Sequence, residues 1–130
     1  MNRKLFFYGI FLSLVAVSSI ALTSVFAIRT EENLILFSDF DLALQVNFFH
    51  AIFLIVLAQI KRKYTDKNLL NGGYVLLAST LIFSLPAYVG IFIKQEMILE
   101  LAKIMGVIGL LVGWISITKT FYDIYYPKRR

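Results

Sequence analysis

The chain has 130 residues, of which 59% are hydrophobic and only 16% are charged, and its mean hydropathy is +0.78. A soluble domain is usually about 45–50% apolar and about 25% charged, so this composition predicts a membrane protein of one domain. The absence of cysteine excludes disulfides, cysteine-ligated zinc, iron–sulfur clusters and thiol catalysis. The net charge of +5 comes from short basic runs beside apolar segments, which favours anionic lipid headgroups over nucleic acid.

Four apolar segments predict four membrane-spanning helices. Residues 5–28, 42–60 and 68–93 contain no Asp, Glu, Lys or Arg, and residues 101–122 contain only Lys103 and Lys119. A hydrocarbon core of about 30 Å needs about 20 mainly apolar residues in a helix, and each segment is close to or above that length. The predicted fold is therefore all-α, an integral membrane four-helix bundle that forms a single transmembrane domain over residues 1–130.

The first segment has some features of a secretory signal, because a basic N-terminus precedes an apolar run that ends in small residues. Its apolar run is longer than a signal core, which has about 7–15 residues, so we interpret it as the first membrane helix. Small residues that include Gly9 and Ser13 share one face of this helix. Such a face predicts close packing within the bundle or contact with a partner subunit.

The basic residues predict how the bundle is oriented. Ten of the 13 lie at the N-terminus, between the second and third segments, or near the C-terminus. The preference of Lys and Arg for the cytoplasm then places both termini there, in a multi-pass membrane protein. Residues 29–41 fall on the outer side. Their apolar stretch at residues 34–37, flanked by acids, predicts a segment on the membrane surface or on a partner.

His50 lies near the middle of the second segment, and Asn47 one turn earlier shares nearly the same face. Polar groups at mid-depth are costly and are therefore candidate functional residues. We expect foremost a buried histidine bonded to Asn47, to a Ser or Thr of the first helix, or to the Ile82 carbonyl. The alternatives are contact with a quinone, a lipid or a partner, haem ligation by two copies, and proton transfer. Without a second His or Cys, we expect no metal site.

The outer half of the third segment carries Ser84, Pro86 and Tyr88, which with His50 and Asn47 could line a small cavity. Pro86 has no N–H to donate to the Ile82 carbonyl, so a kink is expected there.

The fourth segment carries Gly106, Gly109 and Gly113 on one face, including a GxxxG pair. These glycines predict helix packing or partner contact, and the first helix is one candidate for the facing helix.

Three motifs resemble those of the YgdD-like family, a bacterial domain of unknown function found in small inner-membrane proteins. They are Phe49-His50 with the preceding Asn47, the segment at residues 82–88 that contains Ser84 and Tyr88, and the glycine segment that ends at Trp114. The resemblance covers most of the chain and implies a four-helix membrane protein with little established activity. The family's histidine at the end of the first helix has no counterpart in this chain, where residues 23–28 read TSVFAI.

No catalytic motif is present: the sequence has no GxSxG, no HExxH, no phosphate-binding glycine loop and no acid–base pair within the membrane. We therefore expect a non-enzymatic accessory or structural subunit of a larger inner-membrane complex, without a cofactor. Its partners would be the lipid bilayer and other membrane subunits or further copies of the chain. The alternative is a small carrier, or a quinone- or lipid-binding protein, with a site around His50.

Overall fold

The computed structural model describes residues 2–26, 34–60, 67–93 and 96–126, and in these ranges the regular structure is entirely helical. The helices are α1 (Arg3–Phe26), α2 (Leu34–Ala58), α3 (Lys67–Gly90) and α4 (Glu96–Tyr125). Each is long and apolar enough to cross a membrane. The predicted all-α fold with four potential membrane helices is confirmed.

The start of α2 differs most from the prediction, because the helix begins at Leu34 rather than at residue 42. The prediction of a separate surface segment over residues 29–41 is therefore wrong for residues 34–41, which continue α2 and bury Phe37, while their contact with a partner stays a prediction. The prediction began the helix after the last charge, but the second turn of α2 carries Asp39, whose carboxylate has an ion-pair partner on α4. The other helix bounds shift by a few residues, and residues 27–33 lie outside the described ranges.

Sequential helices run antiparallel, and α3 contacts the other three. The backbone N–H of Asn2 donates to the Ala58 carbonyl at 2.7 Å, which joins the start of α1 to the end of α2. The Asn2 side chain also accepts from the backbone N–H of Lys4 at 3.2 Å and so caps α1. Because α4 packs chiefly on α3, it occupies the edge of the bundle.

Two adjacent glycines explain how α3 fits at the centre. A Cβ added to Gly72 would lie 2.7 Å from the Ile117 side chain of α4, and one added to Gly73 would overlap Leu5 of α1. Real Cβ atoms essentially never approach other atoms so closely, so any larger residue at these positions would force the Ile117 or Leu5 side chain to shift. The leucine-rich core lies around this point and includes Leu54 of α2.

The glycine face of α4 packs against α3. A Cβ on Gly106 would lie 2.6 Å from the backbone nitrogen of Phe83, and the Gly109 and Gly113 positions are similarly closed by side chains of α3. Close approach of backbones is the usual role of small residues in membrane helices.

The small-residue face of α1 packs instead against α2, since a Cβ on Gly9 would lie 2.7 Å from the Ala51 carbonyl oxygen. The Ser13 hydroxyl donates to the Gly9 carbonyl within the same helix. The two small-residue faces therefore have different neighbours. The expectation that α1 and α4 pack against each other through these faces is wrong.

Candidate functional site

His50 uses both of its ring nitrogens inside the bundle. Nδ1 lies 2.7 Å from the carbonyl oxygen of Val46, and the indole Nε1–H of Trp114 donates to Nε2 at 3.1 Å. A carbonyl can only accept and an indole nitrogen can only donate, so these partners require a neutral ring with its proton on Nδ1. The imidazole is thus fully hydrogen-bonded as it stands.

Aromatic rings surround this hydrogen bond. The Trp114 ring centroid lies 4.4 Å from that of Phe53 and 6.1 Å from that of Phe49, while His50 is only 5% exposed. To ligate a metal or haem through Nε2, His50 would have to break its bond to Trp114. A proton on Nε2 would likewise point at the indole N–H, so Nε2 could take up a proton only by losing the bond to Trp114. The geometry therefore disfavours haem ligation and proton transfer at His50.

The predicted partners of His50 are wrong: it bonds to Val46 and Trp114, and not to Asn47, the first helix or Ile82. Trp114 was not among the predicted site residues. One sequence signal was available, since an indole near the middle of a membrane helix needs an acceptor that the bilayer core does not provide.

Asn47 belongs to a second buried contact, between α2 and α3. Its Nδ2 donates to the Tyr88 hydroxyl at 3.0 Å, and the Phe40 ring lies edge-on to Tyr88 with centroids 5.2 Å apart. The Ser84 side chain lies close to the Tyr88 phenol. Asn47, Ser84 and Tyr88 therefore come together, whereas the side chain of His50 bonds to α4 instead.

Two polar atoms of this second contact lack hydrogen-bond partners. Within the described part of the chain, Asn47 Oδ1 and Ser84 Oγ are buried and make no hydrogen bond. Buried polar groups are ordinarily paired, and water or a ligand often completes those that the protein leaves open. A hydrogen-bond donor placed beside this contact would satisfy both atoms.

A third cluster lies nearer the end of the bundle. Lys103 Nζ is 2.7 Å from Asp39 Oδ2 and also contacts the Glu100 carboxylate. The Lys103 side chain is only 15% exposed, against 37% for Asp39 and 60% for Glu100. Asp39 lies in the predicted outer segment (residues 29–41) and Lys103 is one of the two charges of the fourth apolar segment; the structure joins them as an ion pair between α2 and α4.

Beside this cluster is a cavity of about 50 Å³ between α2, α3 and α4, which we call the Lys103 cleft. Its charged side is formed by Asp39, Glu100 and Lys103. Its apolar wall includes Leu36, Pro86, Ala87 and Leu99. Pro86 thus lies at this cleft, and α3 remains helical as far as Gly90 beyond it.

Among the residues that the structure describes, no three His, Cys, Asp or Glu side chains are grouped closely enough to hold a metal ion. No family model matches the chain, and neither does any curated protein or solved structure. The resemblance to the YgdD-like family stays a prediction.

Proposed function

We propose that the protein is a non-enzymatic subunit of a larger bacterial inner-membrane complex, in which it acts through helix contacts. The observation that carries the proposal is the engagement of His50. Its two nitrogens bond to Val46 and Trp114, so the most reactive side chain at mid-depth serves to hold helices together. A structural role of this kind needs no substrate path and no cofactor.

The edge position of α4 supports the same proposal. This helix packs chiefly on α3, and only 11% of the residues in its most apolar stretch are buried inside the chain. Its glycines are already used against α3, so a partner would meet the opposite face, which exposes large apolar side chains such as Ile104, Ile108 and Leu111. In a complex, a helix of another subunit replaces lipid along this face.

The charges at the two ends of the bundle support cytoplasmic termini. Among the described residues, the antiparallel arrangement groups four basic residues and one acid at one end: Arg3, Lys4, Lys67, Lys119 and Asp123. The opposite end carries Asp39, Asp41, Glu100 and a single described lysine, Lys103. Such an imbalance favours the basic end in the cytoplasm. The basic residues at 61–63 and 128–130 lie outside the described residues.

The test is native mass spectrometry of the endogenously expressed protein, extracted in mild detergent. We expect a defined complex much larger than the 14.9 kDa chain. Leu111→Trp should weaken that complex, because the bulkier ring would clash with a helix packed on α4. Leu14→Trp on α1 is the matched control, since both leucines are 60% exposed. A lone monomer under these conditions would refute the subunit proposal.

A second candidate function is a small ligand-binding or carrier protein, and it rests on the unpaired Asn47 Oδ1 and Ser84 Oγ. A quinone, lipid or solute that carries a hydrogen-bond donor would satisfy these atoms beside Tyr88. The same mass spectra test this candidate, because a monomer that retains one defined small molecule would favour it. Ser84→Ala should then reduce retention, whereas His50→Leu should affect it less, since His50 is already paired.

A further inference from the structure

The depth of the Lys103 cleft corresponds to the headgroup boundary of a bilayer. The 30 residues of α4 span about 45 Å, close to the full thickness of a bilayer with its headgroups. Lys103 lies seven residues after the start of α4, or about 10 Å along its axis. The hydrocarbon core begins roughly 5–8 Å below the membrane surface, so this lysine lies near the level where lipid headgroups meet acyl chains.

The charges of the cleft call for a zwitterion. Lys103 supplies one positive charge against the two negative charges of Asp39 and Glu100. The ammonium has three N–H donors, of which the two carboxylates take two, and each carboxylate has a second oxygen that can accept. A ligand that satisfies all of these groups carries N–H donors with positive charge for the acids and an anionic oxygen for the lysine.

The size and walls of the cleft narrow the choice. A volume of about 50 Å³ holds roughly four water-sized groups. The ethylammonium end of an ethanolamine headgroup is of this size and donates hydrogen bonds. The trimethylammonium group of choline is bulkier and has no N–H to offer the carboxylates. The apolar wall at Leu36 and Leu99 suits the start of an acyl chain better than it suits water.

We propose that the Lys103 cleft binds the headgroup of an ethanolamine phospholipid from the leaflet at the acidic end of the bundle. The lipid ammonium donates to Asp39 and Glu100, and a phosphate oxygen accepts from Lys103. In this headgroup the phosphate and the ammonium are close neighbours. The Lys103 ammonium and the two carboxylates of the cleft are close neighbours as well, so opposite charges of lipid and protein can face each other. The site requires only that the helices cross a bilayer, and it does not depend on the subunit role proposed above.

Native mass spectrometry of the whole chain in mild detergent tests the site. Dioleoyl phosphatidylethanolamine, phosphatidylcholine and phosphatidylglycerol are added separately at equal concentration, and the one-to-one adducts are compared. Asp39→Asn and Glu100→Gln each remove one charge-assisted bond and should weaken the ethanolamine-lipid adduct about ten- to a hundredfold. Asp41→Asn is the matched control, because it makes the same change on α2 outside the cleft.

A steric variant keeps the test independent of charge. Gly90 lines the cleft, and a Cβ added there would meet only Leu99, at an ordinary 3.5 Å. Gly90→Ala should therefore fold, as circular dichroism will verify, and should reduce the adduct by narrowing the cleft. Equal retention of the choline and ethanolamine lipids, stronger retention of phosphatidylglycerol, or indifference to all three variants would overturn the assignment. Displacement by water-soluble phosphoethanolamine at the same concentration would overturn the lipid as its source.

Discussion

Replacing Trp114 by Phe tests whether the indole–imidazole bond holds α4 to α2. The substitution keeps an aromatic ring beside Phe53 but removes the N–H that donates to His50 Nε2 at 3.1 Å. The imidazole is only 5% exposed, so little water can replace the lost donor. We therefore expect the bundle to lose stability through an unpaired acceptor.

The expected magnitude has two parts. An unsatisfied buried acceptor costs about 1–3 kcal/mol in proteins generally, whereas hydrogen bonds between membrane helices average about 0.6 and reach about 1.7 kcal/mol. We take about 1 kcal/mol for the bond itself. The smaller ring also loses contacts with Phe53, whose centroid is 4.4 Å away, and this adds about 1 kcal/mol. The total loss in the free energy of unfolding should be about 2 kcal/mol.

The assay is reversible unfolding in mixed micelles of dodecylmaltoside and SDS, followed by circular dichroism. Fluorescence is unsuitable because Trp114 is the only tryptophan of the chain. A double-mutant cycle with His50→Leu separates the two parts, since in that background the change at Trp114 should cost only the ring contacts. Equal costs of Trp114→Phe in the two backgrounds would show that the bond contributes nothing to stability, and would refute the reasoning.

Three further predictions concern packing, polar contacts and topology. Gly106→Ala should lower the free energy of unfolding by about 1–3 kcal/mol, because its methyl group would push α4 away from the α3 backbone. Gly90→Ala is the control and should change it by less than about 0.5 kcal/mol. Equal effects of the two substitutions in SDS titrations would contradict this. Tyr88→Phe should cost about 1 kcal/mol in the same titration by leaving an amide of α2 unpaired, and no loss would mean that the amide finds another acceptor. In the cysteine-free chain, a cysteine at Ser38 should react with an impermeant maleimide in intact spheroplasts, and one at Lys4 only after lysis; the reverse would invert the topology.

The number and class of the helices could be predicted because they depend on length and apolar content alone. The start of α2 could not, since the charge of Asp39 reads as the edge of a loop until its partner is known. That partner, Lys103, is 64 positions away, and nothing local indicates that the two helix ends adjoin. Here the ion pair lies between two helices, so the charges of Asp39 and Lys103 do not mark helix ends.

The small residues illustrate the same limit. Their spacing predicted close packing on one face of α1 and one face of α4, and both faces do pack closely. Which helix each one meets depends on the central place of α3, which is a property of the whole bundle. The partners of His50 depended in the same way on the rotation of α4, which brings Trp114 towards α2.

The bond between the Asn2 backbone and Ala58 has a consequence for biogenesis. The chain is synthesised from its N-terminus, so α1 and α2 are both complete before α3 leaves the ribosome. The 2.7 Å bond joins the start of α1 to the end of α2, and the hairpin that it closes presents Leu5 and Leu54 to α3. Gly73 lets α3 approach that hairpin closely at Leu5, and Gly72 lets α4 approach α3 closely at Ile117. The packing therefore follows the order in which the helices are synthesised, since α3 packs on α1 and α2 and α4 packs chiefly on α3.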